Sequence, residues 1–305
     1  MRKPDFFIVG APKCGTTAMD DYLKQHPEIF LPQKKEIHFF GSDLVFQKPR
    51  VTKDEYLSHY HAAKEEKRIG ESAVWYLYSK RAAAEIKEFS PNASIIIMLR
   101  NPVDMMYSMH GQRLYNDNED LRDFEEALAA EEERKQGRRL YQNAFNTMGF
   151  FYRDIARYTQ QVQRYFDTFG RDKVHVIIFD DFKSDTSQAY RETCKFLGVD
   201  SRFCPEFTVV NPSKTVRNES LRSFLRYPLP PARWLLQILQ HSPIRLGLRK
   251  RIRKLNTKYE FRPPMNPQLK RRLQREFLPE VERLSELLGR DLTHWCRTKA
   301  VERAT

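Results

Sequence analysis

The stretch FFIVGAPKCGTTAMDDYL, residues 6–23, predicts a strand, a tight loop and the start of a helix. Its apolar run over residues 6–9 is too short for a helix and ends at a glycine, which indicates a buried strand. Gly15 lacks a Cβ, so backbone N–H groups can approach an anion, and Thr16 and Thr17 place hydroxyls at the positive end of the helix. The stretch therefore predicts a phosphate-binding loop, although the same residue types also build ordinary strand-to-helix turns.

The position of the lysine in this loop is unusual. The common nucleoside-triphosphate loop reads G-x-x-x-x-G-K-[ST]. Here Gly10 and Gly15 keep that spacing, but Thr16 stands where the lysine would be. The lysine is instead Lys13, inside the loop, where it would not reach the β- and γ-phosphates beside a magnesium ion. The pattern argues against simple use of ATP or GTP.

Length and charge set broad limits on fold and partners. The 305 residues can bury the core of one large α/β domain or of two smaller ones. Lys and Arg outnumber Asp and Glu by 53 to 40, which gives a net charge of +13 and favours an anionic partner. The sequence shows no zinc-ligand spacing, no RNA-binding aromatic motif and no basic recognition helix, so we expect no nucleic-acid partner.

The cysteines and the hydropathy pattern indicate a reduced compartment. The four cysteines are scattered without a C-x-x-C pair, which predicts neither a disulfide framework nor a metal site. Cys14 lies inside the loop, where a small residue that fills space is the favoured interpretation. No stretch approaches the length of a membrane span. We therefore expect a cytoplasmic location.

The segment KKEIHFF, residues 34–40, combines two cations, a carboxylate, an imidazole and two aromatic rings. A carboxylate or imidazole beside a cationic pocket can take a proton from an attacking hydroxyl or amine, which makes Glu36 and His38 candidates for a general base. The alternative is a solvated Lys–Glu turn that Phe39 and Phe40 anchor to the core.

A second apolar run, SIIIML at residues 94–99, is typical of a strand buried on both faces of a parallel sheet. Ligands of such sheets bind beyond the carboxyl ends of the strands, so Arg100 is placed to hold a second phosphate, and Ser108 could join it. The alternative is a structural ion pair between Arg100 and Asp104.

The rest of the chain continues the alternation of helices and strands. The pattern predicts helices over residues 18–25, 54–68, 80–89, 155–169, 187–197 and 267–288, and a strand over 174–179. Residues 116–139 are densely charged and indicate an exposed helix or a mobile insertion. Residues 211–218 form a polar basic loop suited to cover an anionic ligand. The basic run 249–254 could contact an anionic membrane or an acidic substrate, or be a solvated helix face.

Asp180 supports a rival function. It follows the predicted strand 174–179 directly, as a magnesium ligand of a P-loop nucleotidase would. Aspartates at this position are also common helix caps, and we favour the cap.

Taken together, these segments resemble the sulfotransferases that use 3′-phosphoadenosine 5′-phosphosulfate (PAPS), nearest to the carbohydrate and heparan sulfate branch and its bacterial relatives. Residues 10–17 look like the family's 5′-phosphosulfate loop, and Arg100-Asn101-Pro102 through Ser108 look like its 3′-phosphate motif. KKEIHFF closely resembles the segment that carries the catalytic glutamate in the heparan sulfate branch. Two further similarities are the loop 214–217, which falls where the family closes over the 3′-phosphate, and the ending Gly289-Arg290-Asp291-Leu292 with Trp295.

The resemblance implies an α/β, P-loop-like three-layer fold with a central parallel sheet flanked by helices. It implies a single sulfotransferase domain over residues 1–305, with an acceptor-side insertion at 111–150 and a C-terminal helical region at 220–296. PAPS would be the donor and 3′,5′-adenosine bisphosphate (PAP) the product, with no metal required. The acceptor would be a hydroxyl, less often an amine, of a carbohydrate or small molecule.

The resemblance also implies roles for individual residues. Lys13 would stabilise the leaving 5′-phosphate without magnesium, and Glu36 would be the base, with His38 as the alternative. The implied donor-binding residues are Lys13, Cys14, Gly15, Thr16 and Thr17 at the 5′-phosphosulfate, and Arg100, Ser108, Lys214 and Arg217 at the 3′-phosphate.

One departure bears on the acceptor. Where the heparan sulfate 3-O enzymes carry a lysine before a Ser/Thr-Pro pair, this chain has Glu71-Ser72-Ala73, which puts a heparin-like acceptor in doubt. Two other functions stay open: a magnesium-dependent P-loop kinase that uses Asp180, and a catalytically inactive module that binds acidic polymers or lipid. The sequence leaves the acceptor, the oligomeric state and any peripheral membrane contact open.

Overall fold

The computed structural model describes residues 2–208 and 262–297, and the backbone of two short strands at 214–216 and 257–259. The chain divides into two compact units, one of residues 1–210 with 265–305 and the other of residues 211–264. The prediction of a single domain over residues 1–305 stays a prediction.

A parallel sheet forms the centre of the larger unit. Its strands are β1 (Phe6–Gly10), β2 (Ile29–Phe30), β3 (Arg68–Ser72), β4 (Ser94–Leu99) and β5 (Val174–Ile178). They are arranged in the order β2-β3-β1-β4-β5. Every residue of β1 and β4 is buried, as expected for strands that helices cover on both faces. Phe6 of β1 is aligned with Gly70 on one side and with Ser94 on the other, which places β1 in the middle of the sheet.

Helices flank this sheet, so the predicted α/β three-layer fold is confirmed. They are α1 (Thr16–Leu23), α2 (Lys53–Ser58), α3 (Ala82–Phe89), α4 (Pro102–Tyr115), α5 (Phe124–Ala129), α6 (Glu131–Lys135), α7 (Tyr152–Ala156), α8 (Tyr158–Phe169), α9 (Phe179–Ser184), α10 (Thr186–Leu197) and α11 (Pro267–Leu288). Short 3-10 turns lie at Met148–Phe150, Arg171–Lys173 and Thr293–Cys296. α8 packs on β4 and β5 and is contacted by α3 and α11, whereas α1 contacts β1, and α9 and α10 contact β5.

Several predicted helix bounds need correction. The helix predicted over residues 54–68 is wrong beyond Ser58, because residues 64–67 are all charged and Arg68 already begins β3. Tyr56 of this helix and Tyr60 beyond it are both buried. The helix predicted over 155–169 is two helices, α7 and α8, which meet at Arg157.

The prediction of an exposed helix or a mobile insertion at residues 116–139 needs correction in one respect. The segment contains α5 and α6, and many of its side chains are exposed, but charged residues of this segment are also buried. Glu119 and Arg134 form a two-pronged ion pair, with distances of 2.8 and 2.6 Å, and neither side chain is exposed to solvent. The Tyr152 hydroxyl donates to the same carboxylate at 2.7 Å. Burial raises the pKa of Glu119, but the hydrogen bonds and the charge of Arg134 outweigh it and lower that pKa to about 2. A fully paired buried charge fixes this segment, since breaking such a pair costs about 3–5 kcal/mol.

The C-terminal segment closes the larger unit. Asn266 caps α11 through its side chain, and Gly289 ends the helix with a φ of 64°, as the sequence predicted. Beyond it, the buried Trp295 donates its Nε1–H to Asp180 at 2.6 Å, and its carbonyl accepts a hydrogen bond from the Asn101 amide at 2.9 Å. Trp295 thus packs the C-terminal segment against the larger unit.

These contacts also correct the interpretation of Asp180 as a helix cap. The N-cap position of α9 is Ile178, and Asp180 lies in the first turn of that helix. Its carboxylate accepts the Trp295 hydrogen bond, while the neighbouring Asp181 pairs with Arg290.

The smaller unit contains an antiparallel pair of strands, β6 (Lys214–Val216) and β7 (Thr257–Tyr259), with Lys214 opposite Tyr259. The predicted loop 211–218 therefore overlaps β6, and residues 257–259 of the predicted helical region 220–296 form a strand. Arg217 and the basic run 249–254 lie outside the described residues. In the described part of the chain, no helix is long and apolar enough to cross a membrane.

Candidate active site

The predicted site residues follow the carboxyl ends of three strands of the parallel sheet. The loop with Lys13 follows β1, the segment with Glu36 and His38 follows β2, and Arg100 follows β4. β1 and β4 are neighbours, and β3 separates β1 from β2. Because all of these strands are parallel, their carboxyl ends lie along the same edge of the sheet. The fold therefore brings together residues that are far apart in the sequence.

The loop between β1 and α1 depends on a glycine at its end. Gly15 caps α1 with a φ of 92°, in the left-handed region that glycine tolerates. A Cβ at this position would lie 3.1 Å from the ring of Phe182 and 3.2 Å from that of Phe179. The first turn of α1 can approach these rings closely only with glycine here.

Cys14 fills space in this loop, as predicted. Its side chain is fully buried, and its thiol donates to the carbonyl of Pro12 at 3.3 Å. Burial raises the pKa of the thiol to about 12, although the charges of Arg100 and Lys13 lower it in part. The thiol stays protonated at neutral pH, so any contact of Cys14 with a ligand would have to come from its backbone.

Lys13 and Arg100 lie together at this edge of the sheet. The Lys13 ammonium group donates to Oε1 of Gln112 at 2.7 Å. Arg100 donates to the Lys13 carbonyl at 3.4 Å, and its guanidinium group lies 4.8 Å from the ring centre of Phe179. The alternative pairing of Arg100 with Asp104 is not what the structure shows.

Lys35 joins the segment after β2 to the start of α1. Its ammonium group donates to the hydroxyl of Thr16 at 3.3 Å and to that of Thr17 at 3.2 Å. The two threonines at the helix N-terminus therefore contact the residue that directly precedes Glu36. The interpretation of this segment as a solvated turn is wrong, because Lys35, Glu36 and His38 are all partly buried.

Glu36 and His38 form a polar pair with different environments. Nε2 of His38 lies 3.8 Å from the Glu36 carboxylate. The His38 side chain is 13% exposed and the Glu36 side chain is 35% exposed. Burial raises the pKa of Glu36, while the charge of Lys35 lowers it and that of Asp20 raises it. A carboxylate with a raised pKa is a better base than an ordinary one.

His38 is held as a neutral imidazole. Burial, together with the positive charges of Lys34 and Arg50, lowers its pKa to about 4. Its ring stacks on Phe46 with 4.1 Å between ring centres. Its buried Nδ1 has no hydrogen-bond partner among the described residues. At neutral pH this imidazole is uncharged and a weak base.

The backbone is strained at these same positions. Among the described residues, five that are not glycine have a positive φ, and three of them are Lys13, Glu36 and His38, with φ values of 63°, 57° and 60°. Residues in this region cost about 1–3 kcal/mol each and persist where the surroundings fix them, which happens most often at functional sites.

A buried acid lies behind the segment that carries Glu36. The Tyr76 hydroxyl accepts hydrogen bonds from the backbone N–H groups of Phe39, at 3.0 Å, and Phe40, at 3.3 Å. It donates to the carboxylate of Glu71 at 2.6 Å, which also accepts from Tyr56. Burial raises the pKa of Glu71 to about 7, although both tyrosine hydrogen bonds lower it. Glu71, which marked the departure from the heparan sulfate enzymes, thus supports this segment from inside the core.

The structure describes the other predicted donor-binding residues, Ser108, Lys214 and Arg217, only in part. Ser108 is partly exposed on α4, eight residues beyond Arg100. The backbone of Lys214 lies in β6, and Arg217 lies outside the described residues. The contacts of Lys35 and Gln112 were not predicted from the sequence. The spacing could have indicated Gln112, because it follows Ser108 by four residues and so lies on the same face of a helix.

A comparison of the sequence with known families identifies the chain. The family described as "Sulfotransferase domain" matches residues 3–226. The chain belongs to the sulfotransferase family. The predicted resemblance is therefore confirmed.

Individual relatives agree with this assignment. A crystal structure of a sulfotransferase from Alicyclobacillus acidocaldarius has 32% sequence identity and a TM-score of 0.74, over 97% of this chain and 100% of that one. "Membrane-associated sulfotransferase kil1" of Dictyostelium discoideum is 33% identical over 35% of this chain and 22% of that protein. Human "Carbohydrate sulfotransferase 15" is 31% identical over 34% of this chain and 26% of that protein. The chain thus spans about a quarter of the length of these two curated relatives.

Proposed function

We propose that this sulfotransferase moves a sulfuryl group from PAPS to a hydroxyl of a carbohydrate or small-molecule acceptor. The observation that carries the proposal is the meeting, at one edge of the sheet, of the cationic loop with Lys13 and the segment with Glu36. Arg100 contacts the first of these elements, and Lys35 connects the second to α1. Membership of the family supports sulfuryl transfer itself.

The residues at the start of α1 fit the anionic end of PAPS. The helix N-terminus carries partial positive charge, Gly15 keeps its approach clear of a side chain, and the hydroxyls of Thr16 and Thr17 can donate to anionic oxygens. Arg100 lies beyond β4, where its planar group can hold the 3′-phosphate with Ser108. The contribution of Lys214 and Arg217 rests on the resemblance alone. When bound, PAPS supplies the sulfuryl group that is transferred.

Lys13 stabilises the leaving group in this proposal. Its ammonium group is held beside the loop by Gln112 and can neutralise the charge that develops on the departing 5′-phosphate. A lysine inside the loop serves this purpose without a magnesium ion. The displacement of the lysine from its usual position is thus consistent with sulfuryl transfer.

Glu36 is the base that the geometry favours. Its side chain is more exposed than that of His38, and its raised pKa makes it the stronger proton acceptor relative to an ordinary carboxylate. His38, whose pKa is lowered to about 4, is poorly suited to accept a proton at neutral pH. We infer that Glu36 removes the proton of the acceptor hydroxyl as it attacks in line with the leaving phosphate.

The kinase alternative is less well supported. It needs Asp180 as a magnesium ligand, but this carboxylate accepts the indole N–H of Trp295 at 2.6 Å. A catalytically inactive binding module would not account for the strained backbone at Lys13, Glu36 and His38, since such strain is found most often at functional sites. The cytoplasmic location stays a prediction.

The first experiment measures donor binding and product formation. We expect PAP to bind in calorimetry without added magnesium, and mass spectrometry of an acceptor library to show added sulfate. Lys13→Ala should lower turnover by about 100-fold or more, since removal of one group that stabilises developing charge has that effect. Lys195→Ala, on the exposed face of α10, is the matched control. Magnesium-dependent ATP binding without PAP affinity would instead establish the kinase.

The second experiment assigns the base. We expect Glu36→Gln to lower kcat strongly at saturating acceptor. The affinity for PAP should change little, because the substitution leaves the donor-binding loop with Lys13 intact. His38→Gln should keep most of the activity. A preserved rate in Glu36→Gln would move the base to His38 or elsewhere.

A further inference from the structure

Lys35 is a partly buried cation whose surroundings leave it without an ion pair. In the part of the chain that the structure describes, no carboxylate lies within 4.0 Å of its ammonium group, and its two hydrogen bonds go to the hydroxyls of Thr16 and Thr17. Burial lowers the pKa of Lys35, and the nearby charges of Asp20 and Glu36 raise it in part. A charge that is partly removed from water in this way favours an anion beside it.

The direction of these hydrogen bonds also points to an anion. An ammonium group has only donors, so both threonine oxygens must act as acceptors towards Lys35. Each hydroxyl hydrogen is then available to a third group, and neither threonine hydroxyl has an acceptor among the described residues. Lys35, Thr16 and Thr17 thus present several hydrogen-bond donors at the N-terminus of α1 with nothing in the described chain to receive them.

We propose that Lys35 is a further donor-binding residue, which contacts the 5′-anion of the nucleotide from the side of Glu36. The proposal rests on the proposed function and adds to Lys13 and Arg100 a third cation, which contacts the threonines at the start of α1. Lys35 has a second effect through its position in the chain. It is the adjacent positive charge that lowers the pKa of Glu36 against the effects of burial and of Asp20.

Two nucleotides that differ only in the 5′-phosphate can show whether Lys35 contacts that group. PAP carries both the 3′- and the 5′-phosphate, whereas adenosine 3′-monophosphate lacks the 5′-phosphate. We expect Lys35→Gln to weaken PAP binding about tenfold or more in calorimetry, the effect of losing a hydrogen bond to a charged group. Binding of adenosine 3′-monophosphate should stay within about twofold. Lys34→Gln, which removes the same charge from the exposed neighbouring residue, is the control and should weaken neither nucleotide.

The pH dependence of turnover gives a readout that a purely structural role would not move. The charged groups that face Lys35 are Asp20 and Asp21 of α1, Lys24 directly after that helix, and Glu36 of its own segment. Without the lysine charge, the pKa of Glu36 should rise, so the acid limb of the kcat profile should move to higher pH in Lys35→Gln. Lys35→Arg should restore the wild-type profile, since it keeps the charge.

The outcomes separate this inference from the proposed function. If wild type binds no PAP and sulfates no acceptor, the proposed function is wrong. If wild type binds PAP and Lys35→Gln binds it equally well, only the role of Lys35 is wrong. Equal losses for both nucleotides would show a general change in the fold and would also overturn the proposal. Thermal unfolding of each variant shows whether the folded state is retained. Lys35→Met, which keeps the apolar part of the side chain and removes the charge, serves as the test if Lys35→Gln does not fold.

Discussion

Glu71 should make the free energy of unfolding fall as the pH rises, and its replacement by glutamine should abolish this dependence. Glu71 is 1% exposed, and burial raises its pKa from the ordinary 4.5 to about 7. The folded chain therefore holds this proton at pH values where the unfolded chain has released it. Above pH 7 the folded state must keep a charge in a site that prefers the neutral acid.

The size of the effect follows from the two pKa values. A raised pKa contributes stability that is fully present below the unfolded value and is lost as the pH rises through the folded value. The difference of about 2.5 units between 4.5 and 7 corresponds to about 3 kcal/mol, at about 1.4 kcal/mol per unit. Most of this loss falls between pH 5 and pH 7.5.

Glu71→Gln is the appropriate perturbation, because a glutamine keeps the shape of the neutral acid and cannot ionise. We expect the free energy of urea unfolding of the variant, relative to wild type, to rise by about 3 kcal/mol between pH 5 and pH 8. Glu282→Gln, at an exposed position of α11, is the control and should show no such trend. A constant difference between variant and wild type would refute the raised pKa. A trend of opposite sign would show that the two tyrosine hydrogen bonds dominate.

Three further perturbations test other parts of the structure. Gly15→Ala should destabilise the fold by about 1–3 kcal/mol and weaken PAP binding, because the left-handed φ and the ring of Phe182 both oppose a side chain; unchanged unfolding and binding would contradict this. His38→Gln should reduce the loss of stability between pH 6.5 and pH 4. In this range the histidine of the unfolded chain binds a proton, whereas folded His38, with a pKa of about 4, stays neutral. An identical acid dependence of urea unfolding in variant and wild type would contradict this. Asp180→Ala should cost about 1–3 kcal/mol by leaving the indole of Trp295 unpaired, yet keep the catalytic rate without magnesium; a magnesium-dependent activity that disappears with unchanged stability would support the kinase.

The parts of the fold that could be predicted from the sequence are those in which the spacing of apolar residues and the residues that end the element indicate the same structure. β1 and β4 are short apolar runs that end at a loop residue, and α11 combines a helical apolar spacing with Asn266 before it and Gly289 after it. In each case the local signals and the tertiary environment favour the same structure.

The failures have a common physical cause. A run of charged residues looks solvated, and the pattern around Glu119 and Arg134 gives no sign that the two charges pair away from water. The contact of Lys35 with the threonines of α1 is equally invisible, because it joins segments that only the pairing of β2 and β3 brings near β1. Sequence located the candidate residues on their loops but could not show which side chains meet.

The contact of Trp295 with Asn101 has a consequence for the order of events during synthesis. Asn101 caps α4 directly after Arg100, and its side-chain amide donates to the carbonyl of a residue almost two hundred positions later. A nascent chain that has delivered all five strands of the sheet still lacks α11 and Trp295. The contact with Trp295 can form only after this last part of the larger unit has been synthesised, since folding accompanies synthesis. We therefore expect the ribosome-bound chain to form the sheet early and to remain unable to bind nucleotide until its final segment docks.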